Sequence, residues 1–165
     1  MAAYLIVDVD DLLQRFTSKG ISVDIQELAV GLRGGAALAA GLFSAESLKA
    51  VAVADWGAHG STGANFQRVF RSAGYDVFDM PHRESLADAL IVHYFSFDPD
   101  PVDELILATS STDLIPLVRR VKTTRNARIR IWGAENVLAG TELANQVIFQ
   151  PLESLPGIQT KNVAV

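Results

Sequence analysis

Cysteine is absent from the 165-residue chain. That excludes a disulfide framework and removes the thiolates that many zinc sites and thiol catalysis require. Long apolar runs are missing as well, and nothing approaches the roughly 20 residues of a membrane-spanning helix. No basic segment precedes an apolar one at the N-terminus, where Asp8, Asp10 and Asp11 interrupt any signal-like pattern. The cytoplasm is the simplest location. An excess of positive charge is also lacking. Fourteen basic residues stand against nineteen acidic ones, a net charge of −5, which argues against general coating of nucleic acid. Six of the fourteen (Arg119, Arg120, Lys122, Arg125, Arg128 and Arg130) nevertheless crowd into "RRVKTTRNARIR". This cluster reads either as a solvated helix end or as a phosphate-contacting rim, with Arg125 and Arg128 as its candidate phosphate ligands.

What is present suits a globular core. Hydrophobic residues make up 49% of the chain, enough for one domain over residues 1–155 with a flexible tail over 156–165. Apolar runs alternate with helical patterns. Strands are expected at Tyr4–Val7, Ala50–Ala54, Asp76–Met80, Glu104–Ala108, Arg128–Trp132 and Val147–Phe149. Helices are expected at Leu12–Thr17, Ile25–Leu42, Ala64–Ser72, Ser85–Phe95, Leu114–Thr123 and Leu138–Ala144. Asp24 and Glu27 form a capping box, and Gly74 stops a helix. Strands separated by helices predict an α/β fold of three layers (α/β/α) with a mainly parallel, Rossmann-like sheet. There is no internal repeat, and "DPDP" at 98–101 reads as a tight acidic loop.

Two glycine-rich stretches, "GLRGGAALAAGL" and "WGAHGSTGANF", match neither the dinucleotide fingerprint nor the P-loop. The first reads as a closely packed helix. The second follows a strand, so Gly57 to Asn65 is either a mobile loop or one that grips a substrate.

The chemistry gathers around acids. In "AYLIVDVDDLL" a buried strand ends in Asp8, with Asp10 and Asp11 just beyond. The carboxyl edge of an open α/β sheet is where such folds place ligands. Asp8 with Asp10 also resembles the Asp-x-Asp of haloacid dehalogenase-type phosphatases, in which case "LATSS" (107–111) would imitate their hydroxyl segment and Lys122 would stand for their lysine. Against that reading, "IRIWGAENV" offers only Glu135 as a further carboxylate, and Leu12 stands where threonine or valine is preferred. Asp88, in "SLADALIVHYF", either complements a helix dipole or joins Asp8. Asp113, in "ELILATSSTDLIPLV", follows a strand and four hydroxyl residues and either caps a helix or joins the same edge. Two carboxylates about 4 Å apart repel by roughly 4 kcal/mol at an effective dielectric near 20. Three together would raise one another's pKa values unless a divalent cation lay between them, and oxygen-only ligands favour magnesium or manganese.

The order of these segments resembles the NYN domains of the PIN-like ribonuclease superfamily. "YLIVDVDDLL" is similar to the family's opening strand and Asp-x-x-Asn motif. "VAVADW" is similar to its second strand, ending in Asp55-Trp56, and "GYDVFDMP" to the strand that follows. "SLADALIVHYF" resembles the helix that carries the next acid. "LATSSTDLIPLVRRV" resembles the Ser-Gly-Asp-x-Asp-Phe-x-Pro-Leu segment, and "LAGTELANQVIFQPLESL" the last helix and strand.

The resemblance implies a metal-dependent ribonuclease. Asp8, Asp88 and Asp113 would be catalytic, and the same three with Asp11 would bind magnesium or manganese. Asp10, Ser111, Thr109 and Trp56 form a second tier, and single-stranded RNA would be the substrate. Three positions depart from the pattern: Asp11 stands for asparagine, Ser111 for the first aspartate of Asp-x-Asp, and Tyr94 for a further helix acid. A catalytically impaired PIN-like module that binds RNA or a protein partner is therefore the alternative, and homo-oligomerisation stays open.

Overall fold

Asp8 ends a strand at the point where the sheet changes direction, and the fold explains why. The structure, a computed structural model, describes residues 2–96, 102–154 and 161–162, with 124–125 and 161–162 described by their backbone alone. Six strands form one sheet: β1 (Ala3–Asp8), β2 (Leu48–Ala54), β3 (Tyr75–Asp79), β4 (Glu104–Ala108), β5 (Arg128–Gly133) and β6 (Val147–Pro151). Their spatial order is β3-β2-β1-β4-β5-β6, and every pairing is parallel. The connections run outward in both directions from the β1/β4 pair, which makes a crevice beyond the carboxyl ends of those two strands.

Helices α1 (Val9–Ser18), α2 (Ile25–Ala39), α3 (Ser61–Ser72), α4 (Leu86–Leu90) and α5 (Ile115–Arg125) connect the strands. Strand alternation sorts the core into two halves. Leu5, Val7, Ala52 and Ile106 pack with Leu12, Leu32 and Phe70 from α1, α2 and α3. Tyr4, Ile6, Val53 and Leu107 pack with Leu86, Leu90, Leu117 and Val121 from α4 and α5. The expected three-layer α/β/α arrangement follows, and all six strands are parallel. Asp8 continues the Tyr4–Ile6 side of β1, and so it emerges on the layer of α4 and α5.

Local chemistry sets the boundaries. Helix α1 starts at Val9 and not at Leu12, because Asp8 itself caps it by accepting from the Asp11 N–H. Asp24 caps α2 by accepting from the Glu27 N–H at 2.9 Å, as the capping pattern predicts, but the helix ends at Ala39 and not at Leu42. Gly74, at φ +93, follows the C-cap of α3, and a Cβ there would meet the Arg33 guanidinium at 2.6 Å. Helix α3 begins at Ser61, three residues early, after a 3₁₀ turn at Trp56–His59. The Gly57–Asn65 stretch is thus helical over most of its length, not an open loop.

Two expected features differ. The segment expected as one helix over Ser85–Phe95 is a short α4 followed by a π-helical turn, Ile91–Phe95. The expected helix over Leu138–Ala144 is a series of turns. Asn136 and Thr141 side chains accept from the Leu138 and Leu143 backbone N–H, and Gly140 lies at φ +82. Such local side-chain bonds compete with helix formation. Within the tail expected over 156–165, Lys161–Asn162 pairs antiparallel with Ile21–Ser22, and the remaining tail residues lie outside the described residues, as does "DPDP". Among the described residues no helix is long and apolar enough to cross a membrane.

Candidate functional site

Asp8 is fully buried, and four donors surround its carboxylate. Arg83 Nη1 donates to Oδ1 at 3.1 Å and Nη2 donates to Oδ2 at 2.8 Å. Thr109 Oγ1 donates to Oδ2 at 2.9 Å, and the Asp11 N–H reaches Oδ1 at 3.4 Å. Burial pushes the Asp8 carboxyl above its ordinary range, outweighing the Arg83 hydrogen bonds and charge and the Thr109 bond that oppose the rise. The same pair holds the Arg83 guanidinium above its own ordinary value, with Asp8 as the main cause.

Arg83 opens a 3₁₀ turn, Arg83–Ser85, between β3 and α4. Its Nε donates to Asp113 Oδ2 at 2.8 Å, so one guanidinium spans both acids. Asp113 lies in the 3₁₀ turn Thr112–Leu114 that leads into α5. Ser111 caps that turn, its Oγ accepting from the Asp113 N–H at 3.1 Å. Thr109 links the two halves, because its Oγ1 also accepts from the Ser111 N–H at 3.0 Å. The fork geometry of arginine and a buried carboxylate make this a closely paired charge cluster on the edge.

Asp11 is buried beside this cluster but faces another set of partners. One oxygen accepts from the Ser110 N–H at 2.6 Å, and the other lies 3.5 Å from Arg15 Nε. Arg15 continues to Glu135 at 2.9 Å. Asp11 therefore clamps α1 to the loop after β4. That loop packs closely on β5: a Cβ on Gly133 would meet the Thr109 carbonyl oxygen at 2.5 Å. Asp10 turns to the opposite side, where it accepts from the Asp55 N–H at 2.8 Å and pairs with His59 Nε2 at 2.5 Å. Trp56 is buried, with Nε1 donating to the Phe78 carbonyl at 3.0 Å and its N–H donating to Asp79 at 3.2 Å.

The structure thus brings Asp8, Asp113, Thr109, Ser111 and Asp11 to one edge. It does not gather Asp88 into the same bonded cluster: Asp88 is exposed on α4, and its carboxylate has no hydrogen bond or ion pair among the described residues. Tyr94 bonds Asp76, in the first half of β3, and so points away from the carboxyl edge. Arg128 is also elsewhere. It begins β5 and forms an ion pair with buried Glu104, at 2.9 Å, with Arg130 Nε donating to the same acid at 2.6 Å. That is the amino edge, roughly 16 Å from the site at about 3.3 Å per residue. Arg125 closes α5, and its side chain lies outside the described residues. Lys122, the lysine of the phosphatase reading, donates to the Ala127 carbonyl at 3.2 Å and so caps the end of α5.

Arg83 is the residue that sequence reasoning missed. The only trace of it in "MPHRESLAD" is a basic residue four positions after the end of β3 and five before Asp88, which does not by itself say where the side chain lands.

Oxygen-only donors have the right chemistry for magnesium or manganese. The arrangement does not fit such an ion. The two acids that meet are already joined by a guanidinium, and both oxygens of Asp11 are engaged. Among the described residues no three His, Asp or Glu side chains gather closely enough to hold a metal.

Comparison with known proteins agrees with this fold. A crystal structure of a protein of unknown function from Vibrio parahaemolyticus superposes with a TM-score of 0.61 at 16% identity, covering 93% of this chain and 95% of that one. No curated protein matches. The NYN domain family matches residues 2–153. The chain belongs to the NYN domain family, a PIN-like family of ribonuclease type.

Proposed function

We propose that this chain is an RNA-binding NYN domain whose nuclease centre is closed, so that it engages single-stranded RNA without metal-dependent cleavage. The observation that carries this reading is Arg83 bonded at once to Asp8 and Asp113. Ser111 and Tyr94 add to it, since neither supplies a carboxylate where the family pattern has one. RNA is the ligand that family membership suggests. Arg83 commits three of its five N–H donors to carboxylates among the described residues, which leaves two to meet a phosphate oxygen.

A second reading keeps the full activity: a magnesium- or manganese-dependent ribonuclease with Asp8, Asp88 and Asp113 catalytic and Asp11 assisting as a ligand. The meeting of Asp8 and Asp113 at the sheet's switch point favours it, as does Asp88, whose carboxylate has no partner among the described residues.

Fluorescence anisotropy with a labelled single-stranded RNA, paired with a cleavage assay with and without manganese, separates the readings. Salt-dependent binding without cleavage is expected. Manganese-stimulated cleavage lost in Asp8→Asn would establish the second reading, and absence of RNA binding would point to a protein partner.

A further inference from the structure

We propose that Arg83 is a built-in cation: its guanidinium takes the place of a divalent ion between Asp8 and Asp113 and keeps such ions out of the wild-type site. This deepens the reading of a closed centre but concerns the cation alone, so its test uses no RNA.

The argument begins with acceptor capacity. An ionised carboxylate offers about four lone-pair sites. Asp8 has four donors on it: two from Arg83, one from Thr109 and one from the Asp11 backbone. A metal can reach Asp8 only by displacing one of them. The Thr109 hydroxyl is buried and also accepts from the Ser111 N–H, and the Asp11 N–H is fixed by the first turn of α1, so neither has solvent to turn to. Arg83 is different. It sits on a short turn and its side chain is 36% exposed, so it alone can leave the cluster by rotating.

Charge gives the same answer. Arginine stays protonated at any relevant pH, so it cannot share the two carboxylates with a divalent ion as a neutral group would. Its planar fork already answers both Asp8 oxygens and one Asp113 oxygen. A magnesium ion in that space would sit against the guanidinium and would be repelled. Replacing Arg83 with alanine frees two acceptor sites on Asp8 and one on Asp113, and it leaves two adjacent hard carboxylates with no counter-charge. That is a minimal site for magnesium or manganese, completed by water.

The test is calorimetric titration of manganese chloride into the full chain as wild type, Arg83→Ala and Arg83→Ala with Asp8→Asn. The wild type is expected to show no binding up to millimolar manganese. Arg83→Ala is expected to bind at least tenfold more tightly, and the double variant to return to the wild-type level. Wild-type binding as tight as that of Arg83→Ala would overturn the proposal, and so would a folded Arg83→Ala variant that gains no affinity. If Arg83→Ala does not fold, manganese-induced NMR broadening of the wild type decides. A sharp Arg83 Nε–H resonance at millimolar manganese supports the built-in cation, and its selective broadening at micromolar manganese refutes it.

Discussion

Arg83 and Asp8 meet through two near-parallel hydrogen bonds, of 3.1 and 2.8 Å, although one partner is wholly buried and the other reaches solvent. The asymmetry has an energetic consequence. Removing Arg83 leaves an ionised carboxylate inside the protein without its main partner. Removing the charge of Asp8 leaves a guanidinium that can still turn to Asp113 and to water. Breaking a buried pair costs about 3–5 kcal/mol, and partial exposure of Arg83 lowers this to about 2 kcal/mol for Arg83→Ala. Asp8→Asn removes a buried charge along with the pair, so a net change within about 1 kcal/mol is expected. Urea denaturation of the two variants checks the order. A larger loss in Asp8→Asn would mean that the carboxylate is held mainly as a structural acceptor.

The raised Asp8 pKa gives stability a definite pH dependence. The folded state takes up a proton at Asp8 at a higher pH than the unfolded chain does. Between the two pKa values the folded state therefore binds more protons, and stability falls as pH rises through the folded value. This contribution is fully present below the ordinary carboxylate range and is lost above the raised one. Asp8→Asn should abolish that slope. In Arg83→Ala the opposing hydrogen bonds and charge are gone, so the window should extend to higher pH. Denaturation midpoints across the mildly acidic range report it. An identical slope in wild type and Asp8→Asn would assign the dependence to other acids.

The other buried acid makes a contrasting case. Glu104 lies at the amino edge between Arg128 and Arg130, at 2.9 and 2.6 Å, away from any candidate chemistry. Glu104→Gln should destabilise by about 3 kcal/mol, because it uncouples two arginines from a fully buried partner. Arg128→Gln should leave the salt dependence of RNA binding unchanged. A slope lowered by about 0.7–0.9 per lost phosphate contact would instead put RNA on the amino edge.

The sheet and its layers were legible because hydrophobic runs and alternation report burial directly: Leu5 and Val7 face one helical layer, Tyr4 and Ile6 the other. The meeting of Asp8 and Asp113 was also legible, since one ends and the other follows a strand beside the switch point. Arg83 was not. Its role depends on where a three-residue turn after β3 lands, and no periodicity encodes that. The direction of Asp11 was hidden for a similar reason. Because α1 begins at Val9, consecutive side chains leave it about 100° apart, and helical geometry sends Asp10 to His59 and Asp11 to Ser110. Composition flagged the cluster around Arg128 as basic, but the register of β4 against β5 makes it a pair for Glu104.

By the resemblance to the family pattern, Ser111 stands where a carboxylate is expected, and its geometry allows one to be introduced there. Its side chain already caps the turn before α5 by accepting from the Asp113 N–H at 3.1 Å. Aspartate caps helices as well as serine does, so Ser111→Asp should fold with a stability change below about 1 kcal/mol. The new carboxylate would lie two residues before Asp113, close to Asp8 through Thr109. With Arg83 in place it adds negative charge to a cluster whose cation cannot be shared, and only a modest gain in manganese affinity is expected. With Arg83 replaced by alanine, three carboxylates surround the vacated space and their mutual repulsion favours a divalent ion. Manganese affinity should therefore rise in the order wild type, Ser111→Asp, Arg83→Ala, and the two substitutions together. The combined gain should exceed the product of the single ones, because each change makes the other's ligands usable. Calorimetric titration of the four proteins reads this order directly. Equal affinity in Ser111→Asp and in the double variant would show that Arg83 yields to a metal once enough carboxylates are present, and that the missing acid alone keeps the centre closed.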